Sequence, residues 1–197
     1  AEMLRAYQNG AYADMYEARI ARVRAAESNL GLGDKLATAA ATYLSKLMAY
    51  KDEYEVARLY TEGDFMRRLG EQFAGEIRLN FLFAPPLLAK PGPDGRPRKL
   101  RFGPWLLPIL RLLAKARGLR GTWADPFRRT PDKALDHRLL ADYEADLELI
   151  LAHPDQPDQA RTLADWPAEV RGFGPLREQA ARQASARRER ARSALMA

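Results

Sequence analysis

DKLATAAATYLSKLMAYKDEYEVARLY, residues Asp34 to Tyr60, is the stretch on which the reading of this chain turns. Asp34 has the side chain of an N-cap, able to accept from the free amides of a first helical turn. Leu36, Ala40, Tyr43, Leu47, Tyr50, Tyr54 and Ala57 then recur at alternating spacings of four and three. That pattern predicts one long helix with a continuous apolar seam, widened by Leu44 and Met48. In its second half Lys51, Asp52, Glu53, Glu55 and Arg58 crowd around Tyr50, Tyr54 and Tyr60. Lys51 and Glu55 stand four apart and Glu55 and Arg58 three apart, the spacing of ion pairs on an exposed helix face. The alternative is a partly buried polar cluster facing a cleft or partner, with the tyrosines excluding water from the charges.

Working outward, a first helix is expected from about Met3 to Glu27, with Tyr12, Tyr16, Ile20, Val23 and Ala26 on one face and a weak start at Asn9-Gly10. Gly31-Leu32-Gly33 precedes a helix but follows another helix, and Leu36 stands where a third glycine would be. It reads as a helix end and restart, not as a phosphate loop. Beyond Tyr60, a turn at Thr61–Asp64 leads to a short helix with Phe65, Leu69 and Phe73 in register. Ile77, Leu79, Phe81 and Phe83 then alternate with Arg78, Asn80 and Leu82, a strand pattern. A proline- and glycine-rich loop, Lys90 to Pro97, separates it from a second strand at Arg98–Phe102. Two strands alone are marginal in water, so the hairpin is expected to lie on a helical body.

Trp105–Arg117 is apolar around nearly its whole circumference, which predicts a central helix or an interface. The loop at Leu119–Arg129 holds Arg120, Arg128 and Arg129, with Asp125 and the acids downstream as their expected partners. Thr130-Pro131 opens a helix to about Ala152, with Leu135, Leu139, Tyr143, Leu147 and Ile150 inward. Asp142, Glu144, Asp146 and Glu148 are expected on its solvated or arginine-facing side. Two short helices should follow, at Pro157–Ala164 and Pro167–Val170, then a sharp turn at Arg171–Pro175. The last 22 residues, Leu176 to Ala197, read as an Ala/Arg-rich helix or tail that frays beyond about Ala186. The fold class is therefore mostly α, a bundle-like domain over residues 1–175 with one small two-stranded hairpin at about 77–102, followed by a C-terminal helix or tail over 176–197.

A chain of 197 residues at 47% hydrophobic can build one good core. With no cysteine it holds no disulfide and no thiolate-bound zinc or iron–sulfur cluster. No apolar run reaches the length of a membrane span, and a cytoplasmic location is expected. The start at Ala1, inside a helical pattern, reads as a piece cut from a longer polypeptide. The net charge of +6 is unevenly spread: residues 76–130 carry 12 basic and 3 acidic groups, and residues 131–176 carry 4 basic and 10 acidic. Mutual neutralisation of these two segments stands beside a nucleic-acid footprint as an explanation. No nucleophile motif, Walker loop or zinc helix is present, so the residues read by themselves leave the function undetermined.

Five blocks carry a resemblance: Tyr50 to Tyr60, Ala84-Pro85-Pro86-Leu87-Leu88-Ala89, Phe102-Gly103-Pro104-Trp105, Leu119-Arg120-Gly121-Thr122 with Asp125-Pro126-Phe127, and Val170-Arg171-Gly172-Phe173-Gly174. In this order they resemble the C-terminal domain of indolepyruvate ferredoxin oxidoreductase, whether fused or on a separate beta subunit. Arg128 stands where that family is expected to have glycine, and Pro175 where it is expected to have histidine. The resemblance implies a parent enzyme that oxidatively decarboxylates arylpyruvates to aryl-acetyl-CoA and reduces ferredoxin, using thiamine diphosphate, magnesium and iron–sulfur clusters. It implies an accessory domain here, holding no cofactor and carrying no catalytic or metal-binding residue. The expected partners are the other domains or subunits of the parent. The candidate cleft or interface residues are Tyr50, Lys51, Glu53, Tyr54, Glu55, Arg58, Arg120, Thr122, Arg129 and Arg171. Two alternatives remain: docking of CoA or acidic ferredoxin on the basic segment through Arg96, Arg98, Lys99 and Arg101, or nucleic-acid binding by the Arg-rich tail.

Overall fold

The computed structural model describes residues 1–29, 33–62, 64–75, 77–84, 92, 98–172 and 174–197. The expected Gly31-Leu32 break, the Pro85–Ala89 block, most of the proline-rich loop and Phe173 lie outside the described residues. The chain is mostly helical, with a single antiparallel pair of strands among the described residues. In chain order the elements are α1 (Glu2–Tyr7), α2 (Gly10–Asn29), α3 (Lys35–Met48), α4 (Glu53–Thr61), α5 (Phe65–Gln72), β1 (Phe81–Phe83), β2 (Leu100–Phe102), α6 (Leu106–Lys115), α7 (Pro131–Ala152), α8 (Pro157–Ala164) and α9 (Pro175–Leu195). Short 3-10 turns follow α6, at Ala116–Leu119, and α8, at Trp166–Glu169. Among the described residues no helix is long and apolar enough to cross a membrane.

These elements form two compact units, which do not follow the division at residue 175. Unit 1 comprises Ala1–Tyr50 with Ala134–Ala197, and unit 2 comprises Lys51–Lys133. The seam expected to run unbroken from Asp34 to Tyr60 is cut between them. α3 ends at Met48, and α4 restarts after Asp52. Asp52 has extended backbone, and its side chain accepts from the Glu55 amide at 2.9 Å. A strong N-cap inside the apolar pattern thus stops one helix and starts the next.

Unit 1 is a helical bundle. Val23 of α2, Leu44, Leu47 and Met48 of α3, Tyr143 and Leu147 of α7, Leu163 of α8, Trp166 and Leu195 are buried in one continuous core. Asn9 breaks the first helix, its side chain accepting from the Tyr12 amide at 2.9 Å. The side chain of Asp34 makes no cap; Glu27, buried at the end of α2, accepts from the Leu36 and Ala37 amides at 2.7 and 2.8 Å. The five inward positions expected on α7 are all buried.

Of the four α7 acids expected on its outer side, Asp142, Glu144 and Glu148 do meet arginines. Asp146 departs from the solvated reading, being wholly buried. It accepts from the Trp166 indole at 2.9 Å and from Arg188 Nε at 2.6 Å, and it also pairs with Arg192. With that network in place α9 runs to Leu195, and Ala184, Arg188, Ala191 and Leu195 are buried.

Unit 2 is built on α4 and α6, whose Ala57, Leu106, Leu110 and Ala114 form a small core with Phe81 of β1. The strands pair Phe81 with Phe102 and Phe83 with Leu100, so the hairpin is shorter than the alternation predicts. Tyr60 is ringed by Phe65, Phe81 and Phe83 at 4.9–5.6 Å, all edge-on. α5 buries no residue, and Phe73, expected to stack on Leu69, is exposed. α6 is likewise not apolar-buried all round, since Trp105, Ile109 and Leu112 face outward.

Candidate functional site

The polar cluster anticipated around Tyr54 exists within unit 2, and it is buried. Its centre is Asp52, brought to the start of α4 by its capping role. Arg120, at the end of the 3-10 turn after α6, donates to it twice, from Nε at 2.7 Å and Nη2 at 2.9 Å. Lys133 lies 3.7 Å from the same carboxylate and donates to Asp125 at 3.0 Å. Asp125 also accepts from the Tyr54 hydroxyl at 3.0 Å and from the Gly121 and Phe127 amides at 2.9 Å each. The tight loop that delivers those amides needs Gly121 at φ +75°, where a side chain is disfavoured. Phe127 packs edge-on against the Tyr54 ring at 5.5 Å. Arg120 and Lys133 stand 5.5 and 5.2 Å from its centroid, at cation–π distance.

Two carboxylates and two cations therefore neutralise one another in a buried cluster, with amides and a hydroxyl donating to the remaining lone pairs. Burial pushes the Asp125 carboxyl up, but the Gly121 amide, Lys133 and the Phe127 amide together hold it below the usual carboxylate value. Burial raises the Tyr54 hydroxyl, reinforced by its hydrogen bond to Asp125. Glu55 and Arg58 form a second, bidentate pair at 2.7 and 2.8 Å on the flank. Glu53 is the exception. Its Oε2 is buried without a hydrogen-bond partner, and burial raises its pKa against the pull of Lys133.

Of the sequence-predicted residues, Glu53, Tyr54, Glu55, Arg58 and Arg120 are brought together here. Lys51 and Arg129 are exposed. Thr122 is spent on its own turn, donating to the Leu119 carbonyl at 2.7 Å. Tyr50 and Arg171 belong to unit 1. Tyr50 is buried against the rings of Tyr7 and His137, and Arg171 donates to the Ala168 carbonyl at 3.0 Å. Asp125, Phe127 and Lys133 escaped the site expected from sequence, as did Asp52 in its central role. For Asp52 a signal was present: Asp52-x-x-Glu55 is a capping-box spacing, which marks a helix start.

The arrangement is chemically closed. Each acid of the central pairs already has its cations, and no serine, cysteine or histidine joins them. Among the described residues no group of His, Asp and Glu side chains is arranged to hold a metal ion.

A family model matches residues 1–190, spanning both units and the whole cluster. The chain belongs to the family of unknown function DUF6537. No curated protein and no solved structure matches it. Membership of this family assigns the chain no activity.

Proposed function

We propose that this chain is an accessory domain of an indolepyruvate-type ferredoxin oxidoreductase, serving assembly or covering a cleft while the chemistry proceeds elsewhere in the parent. One observation carries the reading. Tyr50–Tyr60, Leu119–Thr122 and Asp125–Phe127, quoted for the resemblance as separate blocks, supply Asp52, Tyr54, Arg120, Asp125 and Phe127 to one buried network. Their polar groups are consumed in fixing the shape of unit 2. A scaffold needs such a network, because a satisfied buried ion cluster specifies one arrangement of the loops around it. On this reading the thiamine diphosphate, magnesium and iron–sulfur clusters reside in other domains or subunits, which are the partners, and the location is cytoplasmic.

The test is made on the gene product that contains this chain. Its deletion, and separately Arg120→Ala within it, should lower 2-oxoacid-dependent ferredoxin reduction or change the oligomeric state by size-exclusion chromatography. Unchanged turnover and unchanged assembly in the deletion would refute the accessory role. A protein with no 2-oxoacid:ferredoxin activity at all would refute the parentage.

A further inference from the structure

α6 turns one face into unit 2 and the other to solvent. Leu106, Leu110 and Ala114, at i, i+4 and i+8, pack on Ala57 and Phe81. On the opposite side Trp105, Ile109 and Leu112, at i, i+4 and i+7, are 60, 51 and 70% exposed. They form an apolar stripe about 10 Å long. Trp123, 90% exposed, and Leu119, 41% exposed, lie in the segment that follows α6. Arg111 and Lys115 stand exposed along one flank of the stripe, and α6 carries no acid.

Six of the ten acids in residues 131–176 are paired with arginines of unit 1 outside that segment. Asp136 pairs with Arg177, Asp142 and Asp146 with Arg188, Glu144 with Arg19, Glu148 with Arg22 and Glu169 with Arg187, all inside unit 1. Within unit 2, Asp52 and Asp125 take Arg120 and Lys133, and Glu62 takes Arg117. Arg98, Lys99, Arg111, Lys115, Arg128 and Arg129 form no ion pair with a described residue of unit 2. Within unit 2 these cations are left over once the ion pairs of the unit are made, and two of them, Arg111 and Lys115, lie on α6 beside its exposed apolar stripe.

We propose that the outer face of α6 is a docking surface for an acidic amphipathic helix of another polypeptide. The spacing of Trp105, Ile109 and Leu112 matches the ridge that one helix offers another. Arg111 and Lys115 select an acidic flank on the partner and speed its encounter. A helix lying in a membrane surface carries a polar face rich in lysine and arginine, whereas α6 has two cations, and three large apolar side chains at the centre of the patch are foreign to phosphate contact. The inference stands on unit 2 alone and does not need the oxidoreductase parentage.

The probe is a fluorescein-labelled synthetic helix of about 18 residues, with leucine at i, i+4 and i+7 and glutamate on its flanks. Binding to the full chain is followed by anisotropy over a salt series. Saturable binding that weakens with salt is expected, with a loss of about tenfold or more in Leu112→Glu and in Arg111→Glu/Lys115→Glu. Both variants change exposed positions, and circular dichroism should show the fold retained. Equal binding of a scrambled peptide of the same composition would overturn the proposal, as would unchanged affinity in Leu112→Glu. Preferential binding of phosphatidylserine vesicles or of duplex DNA through the same residues would also overturn it.

Discussion

Arg120 grips Asp52 through two parallel hydrogen bonds, although 68 residues of chain separate them. The same carboxylate caps α4, so one aspartate fixes both a helix start and the end of the loop after α6. Removing one partner of a buried pair strands the other charge, at a cost of about 3–5 kcal/mol. Arg120→Ala is expected to destabilise the chain by that amount in urea titration. Asp52→Asn keeps a capping oxygen and should cost less than Asp52→Ala. Equal losses in the two Asp52 variants would mean that the charge, not the cap, carries the effect.

Asp146 plays the matching part in unit 1, where it joins α7 to Trp166 and to the last turns of α9. Asp146→Ala removes the buried acceptor of Arg188 and of the Trp166 indole while Asp142 still faces Arg188, and a loss of about 1–3 kcal/mol is expected. Amide exchange should locate the damage. Protection from Arg188 to Leu195 should fall first, because α9 has few large apolar residues with which to hold itself down. Uniform loss along the whole helix would contradict this account.

Glu53 and Asp125 should give opposite pH signatures. The folded protein holds the Glu53 proton more tightly than the unfolded chain does. Ionising Glu53 therefore costs stability as pH rises through its ordinary value of 4.5, and the full cost remains above its raised folded value. Glu53→Gln is expected to stabilise the chain near neutral pH, with the gain vanishing in acid below that ordinary value. Asp125, held low, contributes stability that is fully present above its ordinary value of 3.8 and lost as pH falls through its folded value. Asp125→Asn should thus be destabilising at neutral pH, with the difference closing in acid. Denaturation curves for both variants across this range are the check.

Gly172 sits at φ +91°, where a Cβ would come within 3.2 Å of the Leu176 Cβ. Gly172→Ala is expected to destabilise unit 1 by about 1–2 kcal/mol, seen as a lowered thermal midpoint. Gly118→Ala, with open space at its Cβ position, serves as the control and should change little.

The helices of unit 1 were legible because their burial follows the period of the backbone. Leu135, Leu139, Tyr143, Leu147 and Ile150 are spaced as a helix buries them, and all are buried. The hairpin was legible from the alternation around Phe81. The break at Ala49–Asp52 was hidden, because the apolar seam continues through it while the capping aspartate reads as one more charge. The candidate site was half legible: Tyr54, Glu55 and Arg58 share a helix, whereas Asp125 and Lys133 reach them only through the fold.

Local pattern alone determined the mostly helical class, the faces that turn inward and the lack of any thiolate chemistry, since these depend on residue type and on neighbours a few positions away. Tertiary structure alone decided which charge meets which. Burial of Asp146 and Asp52 depends on arginines 42 and 68 residues distant, and a carboxylate accepts burial only where a cation is delivered to it. Tertiary structure also decided which side of α6 is packed, leaving Trp105, Ile109 and Leu112 exposed.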